Sequence, residues 1–222
     1  EAAAFAQRFK GAYGTPNFIS VESGCFRARI LTRQLTFGRY TIPDETVNSK
    51  LIVLWGQDPD NSMSPMGPRM REALQNGTEI ITINPKRPAL ADYGTYIQLR
   101  PGTDCALALA MANVIIKEDL YDKEFVSKWC HGFDRFAEHV KEYTPERVGE
   151  ISWVPAIEIK RIARKIATTK PMAIHQGTAG LDRQISNVHN SRALSILMAI
   201  TGNIDVKGGW IPFLPFFISD MS

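Results

Sequence analysis

The sequence predicts an α/β fold in which a doubly wound, largely parallel sheet carries helices on both faces. Short apolar runs alternate with longer helical patterns along the chain, which is the order of βαβ units. The run at 51–55 is apolar at every position, as expected for a strand that helices cover on both sides. Three predicted strands end in polar loops that contain glycine or proline. We therefore expect one sheet whose carboxyl edge gathers several loops.

The first half of the chain supplies most of the predicted strands. In order, the elements are a strand at 18–21, a helix over about 26–35, a strand at 51–55, a helix over 67–75, and strands at 79–83 and 96–99. Asn76 and Gly77 form a common helix stop. This alternation favours parallel strand pairing.

The second half is predicted to be mainly helical. A helix from 104 to about 116 is apolar on nearly every side and should be buried, and residues 156–168 form an amphipathic helix with a basic outer face. A strand at 172–175 and a helix over about 188–200 follow. We expect residues 1–168 to form a nucleotide-binding-like α/β domain with a helical excursion at about 117–152. Residues 169–222 are predicted to be a C-terminal segment that belongs to a second α/β domain.

Charge and cysteine content exclude several classes of protein. The net charge of +3 arises from 26 basic and 23 acidic residues spread along 222 positions, so the sequence predicts no nucleic-acid partner. The three cysteines, Cys25, Cys105 and Cys130, are widely separated and odd in number, which indicates neither a disulfide framework nor a CxxC metal site. No GxGxxG follows an early strand, which disfavours a nicotinamide dehydrogenase.

The ends of the chain lead to a further expectation. The apolar stretch at 211–218 is short and broken by Pro212 and Pro215, so we expect no membrane span in this segment. We interpret the chain as an excised part of a longer polypeptide, whose cellular side, cytoplasmic or exported, the sequence leaves open.

The first of the three polar loops follows the strand at 51–55. Its candidate binding residues are Trp55, Gly56, Gln57, Asp58, Pro59 and Ser62. Gly56 lets the backbone approach a ligand closely, and Pro59 is expected to keep the loop from continuing as a helix or strand. An ordinary βα turn with an Asx cap explains this loop equally well.

The second loop adds positive charge. In the second loop the candidates are Ile83, Asn84, Pro85, Lys86 and Arg87, of which Asn84 can bind a sugar hydroxyl and the two cations can neutralise a phosphate. The alternative is a solvent-exposed basic turn.

In the third loop the candidates are Gly102, Thr103 and Asp104. Thr103 is predicted to cap the next helix, and Asp104 suits its first turn. A carboxylate also accepts the two parallel donors of guanine, so Asp104 is a candidate guanine-binding residue.

In this order, the three loops resemble those of the molybdopterin oxidoreductases of the dimethyl sulfoxide reductase family. The likeness extends to YGTPNFISVESGCF at 13–26, LYDKEFVSKW at 120–129 and ITGNIDVKGGW at 200–210, and so covers nearly the whole chain. It implies a molybdenum or tungsten bis-molybdopterin guanine dinucleotide cofactor, with guanosine and pyrophosphate on the three loops. The family usually has Asn at the position of Asp58 and often Asp at that of Asn84.

The resemblance also assigns a metal ligand and a pterin loop. Cys25 falls where the family places the protein ligand to the metal, and a thiolate is the soft anionic donor that such a metal prefers. For a lone cysteine without these motifs, a buried inert side chain would be the better interpretation. Gly180, Arg183 and Gln184 follow the strand at 172–175 on a loop that the family uses near a pterin. His175 is a candidate acid or base, although a lone histidine is more often simply hydrogen-bonded at a strand end.

The same resemblance narrows the reaction. Formate dehydrogenases of this family generally place histidine after the ligating residue, and Phe26 follows Cys25 here, which argues against formate oxidation. The residues GCF at 24–26 and the run from Leu181 resemble sequences of the family branch that contains thiosulfate and polysulfide reductases and acetylene hydratase. We expect an oxidoreductase of anaerobic respiration that reduces a small inorganic sulfur or oxo compound. A non-redox hydratase and a metal-free structural subunit remain alternatives.

The resemblance implies further parts and partners. Family members usually carry an N-terminal region, often with an iron–sulfur cluster, and a C-terminal domain that completes both pterin sites. We expect an iron–sulfur electron-transfer subunit as partner and a small molecule as substrate. The fragment alone is predicted to be inactive and to contain no metal.

Overall fold

The computed structural model describes residues 2–17, 25–63 and 65–213. The strand predicted at 18–21 lies outside the described residues. The helices are α1 (Ala2–Tyr13), α2 (Arg27–Phe37), α3 (Pro59–Ser62), α4 (Met66–Gln75), α5 (Asp104–Lys117), α6 (Lys123–Trp129), α7 (Phe133–Val140), α8 (Pro145–Ser152), α9 (Ala156–Thr168) and α10 (Asn187–Ile200). The strands are β1 (Thr41–Pro43), β2 (Leu51–Trp55), β3 (Glu79–Ile83), β4 (Thr95–Ile97), β5 (Met172–Gln176) and β6 (Trp210–Pro212).

Within the described residues, a parallel sheet of four strands lies at the centre of the fold, in the order β4–β3–β2–β5. The chain winds from β2 outward through β3 to β4, and then returns through α5 to α9 to place β5 on the other side of β2. The direction of winding therefore reverses between β2 and β5. In open α/β sheets, ligands bind outside the carboxyl ends of the strands at such a reversal.

Both faces of the sheet are covered, as the continuous apolar pattern of β2 predicts. Leu51, Val53 and Trp55 face a large core built with α5, α9 and α10. Ile52 and Leu54 face a smaller core that includes residues of α4. All five side chains of β2 are at most 1% exposed, so the strand is the centre of both cores. The predicted doubly wound α/β class is confirmed.

The helical excursion predicted at about 117–152 is present as α6, α7 and α8. Asp122 caps α6 by accepting a hydrogen bond from the backbone N–H of Phe125 at 2.9 Å. α7 and α8 pack against α5, whose apolar faces are buried as predicted, and α6 packs against α10. The single uncharged polar side chain inside α5, Asn113, donates to the carbonyl of Val140 at 2.9 Å.

The segment predicted to begin a second domain shares the first sheet. β5 pairs with β2 over its whole length, and α10 packs against α5 and α2. A short antiparallel pair of β1 and β6 lies beside β5, where the indole N–H of Trp210 donates to the carbonyl of Ile174 at 2.9 Å. The boundary predicted at residue 168 thus falls between two strands of one sheet, so β5 lies with the first unit; the division into domains stays a prediction.

Candidate functional site

The loops after the parallel strands begin side by side. The backbone N–H of Gly56, just after β2, donates to Ile83 at the end of β3 at 2.8 Å. The N–H of Gly177, just after β5, donates to Trp55 at 2.7 Å. The backbone N–H of Asn84, just after β3, donates to the carbonyl of Ile97 in β4 at 3.1 Å. The carboxyl edge therefore carries the predicted loops in one row.

Three glycines bring the loops after β2 and β5 into backbone contact. Gly56 has a positive φ of 61°, a conformation that costs glycine little. A Cβ added at Gly177 would overlap the carbonyl oxygen of Gly56, and one at Gly180 would lie 3.0 Å from the same oxygen. These glycines thus allow the backbones of the two loops to contact each other at the sheet edge, at the point where the winding reverses.

Asp104 joins the third loop to the first and to the loop after β5. Its carboxylate accepts from the indole N–H of Trp55 at 2.9 Å and from the amide of Gln184 at 3.3 Å. Asp104 is only 5% exposed, and burial raises its pKa, while the bonds from Trp55 and Gln184 oppose that rise. Both oxygens therefore have partners within the chain, and binding of guanine by Asp104 stays a prediction.

One local expectation for these loops is wrong, and another holds for the position but not for the hydrogen bond. Pro59 does not keep its loop from becoming helical, because it is the first residue of the short helix α3, where its missing N–H is no loss. Thr103 occupies the N-cap of α5 but makes no side-chain capping bond; its hydroxyl donates to the carbonyl of Arg100 at 2.7 Å.

The first loop offers free acceptors. Within the described part of the chain, Oε1 of Gln57 and Oδ1 of Asp58 are buried without a hydrogen-bond partner. The remaining polar atoms of this loop bond locally; for example, Ser62 donates to the carbonyl of Asp58 at 2.6 Å. Buried acceptors without partners are costly, so these two atoms fit a ligand that brings N–H or O–H donors.

The second loop forms a polar rim. The side-chain amide of Asn84 donates to the carbonyl of Gln57 at 3.3 Å, and its oxygen accepts from the N–H of Lys86 at 3.2 Å, so its sugar-binding role stays a prediction. Lys86 is exposed, and Arg87 forms an exposed ion pair with Asp92 at 2.8 Å. Pro85 accepts from the amide of Gln98 at 3.0 Å. In the third loop, Gly102 is also exposed, with a φ of 84°.

Cys25 lies at the start of α2, and the first turn of that helix contacts the loop after β5. The thiol residue is half-buried and immediately precedes Phe26, the N-cap residue. Arg29, one helical turn further on, contacts Asp182 at 2.6 Å and Thr178 at 3.3 Å. The helix that follows Cys25 is therefore joined to the loop after β5.

His175 faces the other side of the sheet from Trp55. It pairs in register with Leu54 and lines a cavity of about 520 Å³, a volume within the usual range for small-molecule sites. Residues that line this cavity include Arg29, Arg33, Gln57, Met63, Met66 and His175. Burial, and then the charge of Arg33, lowers the pKa of His175 to about 4, so the imidazole is neutral near pH 7. Its Nε2 has no partner among the described residues.

The sequence reasoning missed a group of buried charged residues, namely Arg29, Arg33 and Asp182. Arg33 is 1% exposed, stacks over Trp210 at 3.7 Å and donates to the carbonyl of Thr41 at 2.6 Å. Burial, and then the charge of Arg29, lowers its pKa to about 9. The sequence did carry a signal for this group. Arg29 and Arg33 lie four residues apart on the helix after Cys25, and residues at this spacing are neighbours on a helix surface.

The last two candidate residues lie on the loop after β5. Arg183 is exposed, and Gln184 is half-buried beside Asp104. Cys105 and Cys130 pack against the core as free thiols, and burial raises the pKa of both.

Across the described ranges, no group of three or more His, Cys, Asp or Glu side chains could hold a metal ion. In the same ranges no helix has the length and apolarity needed to cross a membrane.

Comparison with known proteins gives consistent matches. A family model described as molybdopterin oxidoreductase matches residues 5–218. Acetylene hydratase of Syntrophotalea acetylenica is 34% identical over 198 residues, which are 89% of this chain and 27% of that protein. Dimethyl sulfoxide reductase DmsA of Escherichia coli (strain K12) is 35% identical over an alignment of 195 residues, which covers 75% of this chain and 24% of that protein.

A solved structure, acetylene hydratase from Pelobacter acetylenicus, superposes with a TM-score of 0.84 at 34% identity and covers 94% of this chain. The match takes in 28% of that chain. This chain therefore spans about a quarter of the length of the relatives that it matches.

Proposed function

Because the chain belongs to the molybdopterin oxidoreductase family, we propose that it is the central cofactor-binding portion of a molybdenum or tungsten enzyme. The cofactor in this proposal is bis-molybdopterin guanine dinucleotide, and the reaction is the two-electron reduction of a small inorganic sulfur or oxo compound. When bound, the cofactor would supply the redox chemistry, and the protein would supply binding, orientation and exclusion of water.

One observation carries the proposal: the loops after β2 and β5 meet at the reversal of the sheet, beside the helix that Cys25 precedes. A crevice at this point is the usual ligand site of doubly wound folds. The buried free acceptors of Gln57 and Asp58 fit the N–H groups of a nucleotide or pterin. The hydrogen-bond acceptors of the site therefore agree with a large heterocyclic cofactor that carries N–H donors.

The loop residues divide the binding among them in this proposal. Lys86 and Arg87, on the exposed rim, would neutralise phosphate groups, and Arg87 would exchange its contact with Asp92 for a phosphate. Asp104, whose carboxylate also accepts from Trp55 and Gln184, would bind guanine at the centre of the site. Gly180 and Arg183 would lie along the pterin.

Cys25 would be the protein ligand to the metal. A half-buried thiol beside a helix N-terminus is accessible to a ligand. His175 is neutral near pH 7 because its pKa is about 4, so it could accept a proton or a hydrogen bond but would not donate a proton as an acid.

Metal analysis of the full-length protein tests this proposal. We expect wild type to contain molybdenum or tungsten, and Cys25→Ser and Cys25→Ala variants to lose activity and to change or lose the metal. Cys105→Ser is the matched control, because it removes a thiol that packs against the core. Equal and negligible metal in wild type and the Cys25 variants would instead support a metal-free structural subunit.

A hydratase is the second candidate, because both comparisons include acetylene hydratase at 34% identity. Assays of the metal-loaded protein separate the two reactions. Oxidation of reduced viologen by a sulfur or oxo compound supports the reductase, whereas hydration of an alkyne without viologen oxidation supports the hydratase.

The remaining proposals concern parts outside these residues. We propose that an iron–sulfur cluster and an iron–sulfur electron-transfer subunit serve the complete enzyme, and that residues 1–222 alone are inactive and bind no metal. The chain spans 27% of acetylene hydratase, so most of such a protein lies beyond this region. Molybdopterin bound tightly to the isolated 222 residues would contradict this proposal.

A further inference from the structure

A buried chain of polar contacts joins α2 to the loop after β5. Arg29 contacts the carboxylate of Asp182 at 2.6 Å, and the other oxygen of Asp182 accepts from the amide of Gln176 at 2.6 Å. The amide of Gln176 also donates to Ser191 of α10 at 2.8 Å, and its oxygen accepts from Arg33 at 3.2 Å. Two residues of α2 are thus connected to β5, the following loop and α10.

Asp182 is the centre of this chain. Its side chain is 0% exposed, whereas that of Arg29 is 12% exposed. A buried carboxylate is costly unless it is paired and hydrogen-bonded, and here each oxygen has a partner. Removing either charge would leave the other one buried without its partner, so the contact is strongly favoured once α2 is in place.

The position of Arg29 gives this contact a specific consequence. Arg29 follows Cys25 by about one helical turn, which is about 6 Å along a helix axis. The N-cap residue of α2, Phe26, makes no side-chain capping bond, and the first turn contains no acidic residue. Orphan N–H groups make a first turn prone to fray, and the contact of Arg29 with Asp182 ties the turn that follows Cys25 to the loop after β5.

We propose that Asp182 is a positioning residue for Cys25: through Arg29 it holds the thiol at the edge where the loops after β2 and β5 meet. The inference rests on the proposed function of Cys25 as a metal ligand. A ligand must be held in place before the metal binds, since a loosely placed ligand weakens the site.

The test measures the alkylation rate of each cysteine in the full-length protein, produced without molybdenum or tungsten and digested for peptide mass spectrometry. Asp182→Asn and Arg29→Gln break the contact. Glu118→Gln is the control, because it breaks an ion pair of similar length, 2.7 Å, to Arg164, away from the loops of the site. Cys105 and Cys130 report general loosening of the core, against which they pack.

We expect the iodoacetamide rate of Cys25 to rise on the order of tenfold in Asp182→Asn and Arg29→Gln, as for a segment that opens locally. The rates of Cys105 and Cys130 should stay within about twofold of wild type, and Glu118→Gln should change none of the three. In protein produced with metal, Asp182→Asn should also lower the metal content relative to Glu118→Gln.

Two results would overturn the inference. One is an unchanged rate at Cys25 in a folded Asp182→Asn protein, and the other is an equal rise at all three cysteines, which would mean that the contact only stabilises the fold. If Asp182→Asn does not accumulate, Arg29→Gln decides alone: Cys25 should react faster while Cys105 and Cys130 do not, and an unchanged rate at Cys25 would overturn the inference. Failure of the proposed function would appear separately, as wild type without metal, because the alkylation pattern is read in metal-free protein.

Discussion

The stability of the protein should fall on acidification because of His175. Its pKa is lowered to about 4 in the folded protein, from an ordinary value of 6.5, since the ring is buried and faces the charge of Arg33. A folded pKa below the unfolded value means that protonation favours unfolding. The stabilisation is therefore complete above about pH 6.5 and is lost as the pH falls toward 4.

The difference between 6.5 and about 4 corresponds to about 3 kcal/mol of unfolding free energy. That is a large part of the roughly 5–15 kcal/mol typical of a folded protein. Replacing His175 by Gln removes the titrating ring, so its unfolding free energy should lack this pH dependence. Asp182, which also faces Arg33, remains in both proteins and cancels in the comparison.

Urea denaturation of wild type and His175→Gln at pH 7, 6, 5 and 4 measures the effect. The advantage of wild type over the variant should shrink by about 3 kcal/mol between pH 7 and pH 4. His139→Gln is the matched control, because it removes a histidine from an exposed helix position. Wild-type and His175→Gln curves that stay parallel across this range would refute the reasoning.

Three further substitutions test the packing of the site and the core by denaturant unfolding. Trp55→Phe should cost about 1–3 kcal/mol, because it leaves one oxygen of the buried Asp104 without its donor; an unchanged unfolding midpoint would contradict that bond. Gly177→Ala should destabilise by about 1–3 kcal/mol or more, since the new methyl group would overlap the backbone of Gly56, and a neutral result would show that the two loops are not in contact. Ile162→Ala, on the fully buried face of α9, should cost about 2–5 kcal/mol; a loss below about 1 kcal/mol would mean that this face is not core.

The sequence predicted the elements well wherever a pattern is local. The 3.6-residue periodicity of α9 and the apolar run of β2 gave bounds that agree with the structure. The ordered loop phrases predicted the family, which the match over residues 5–218 confirms. Local chemistry was less reliable at Pro59 and Thr103, because proline is compatible with the first turn of a helix and a threonine hydroxyl can bond to a nearby carbonyl instead of capping.

By itself the sequence determined the elements with a strong local pattern, such as β2 and α9, since these depend on neighbours a few positions away; it did not predict the short elements β1, α3 and β6. Only the tertiary structure decided that β5 returns beside β2, and that Asp182 meets Arg29 across 153 positions of chain. Such contacts depend on how distant segments pack, and one carboxylate in a loop looks like any other until the fold buries it beside a guanidinium.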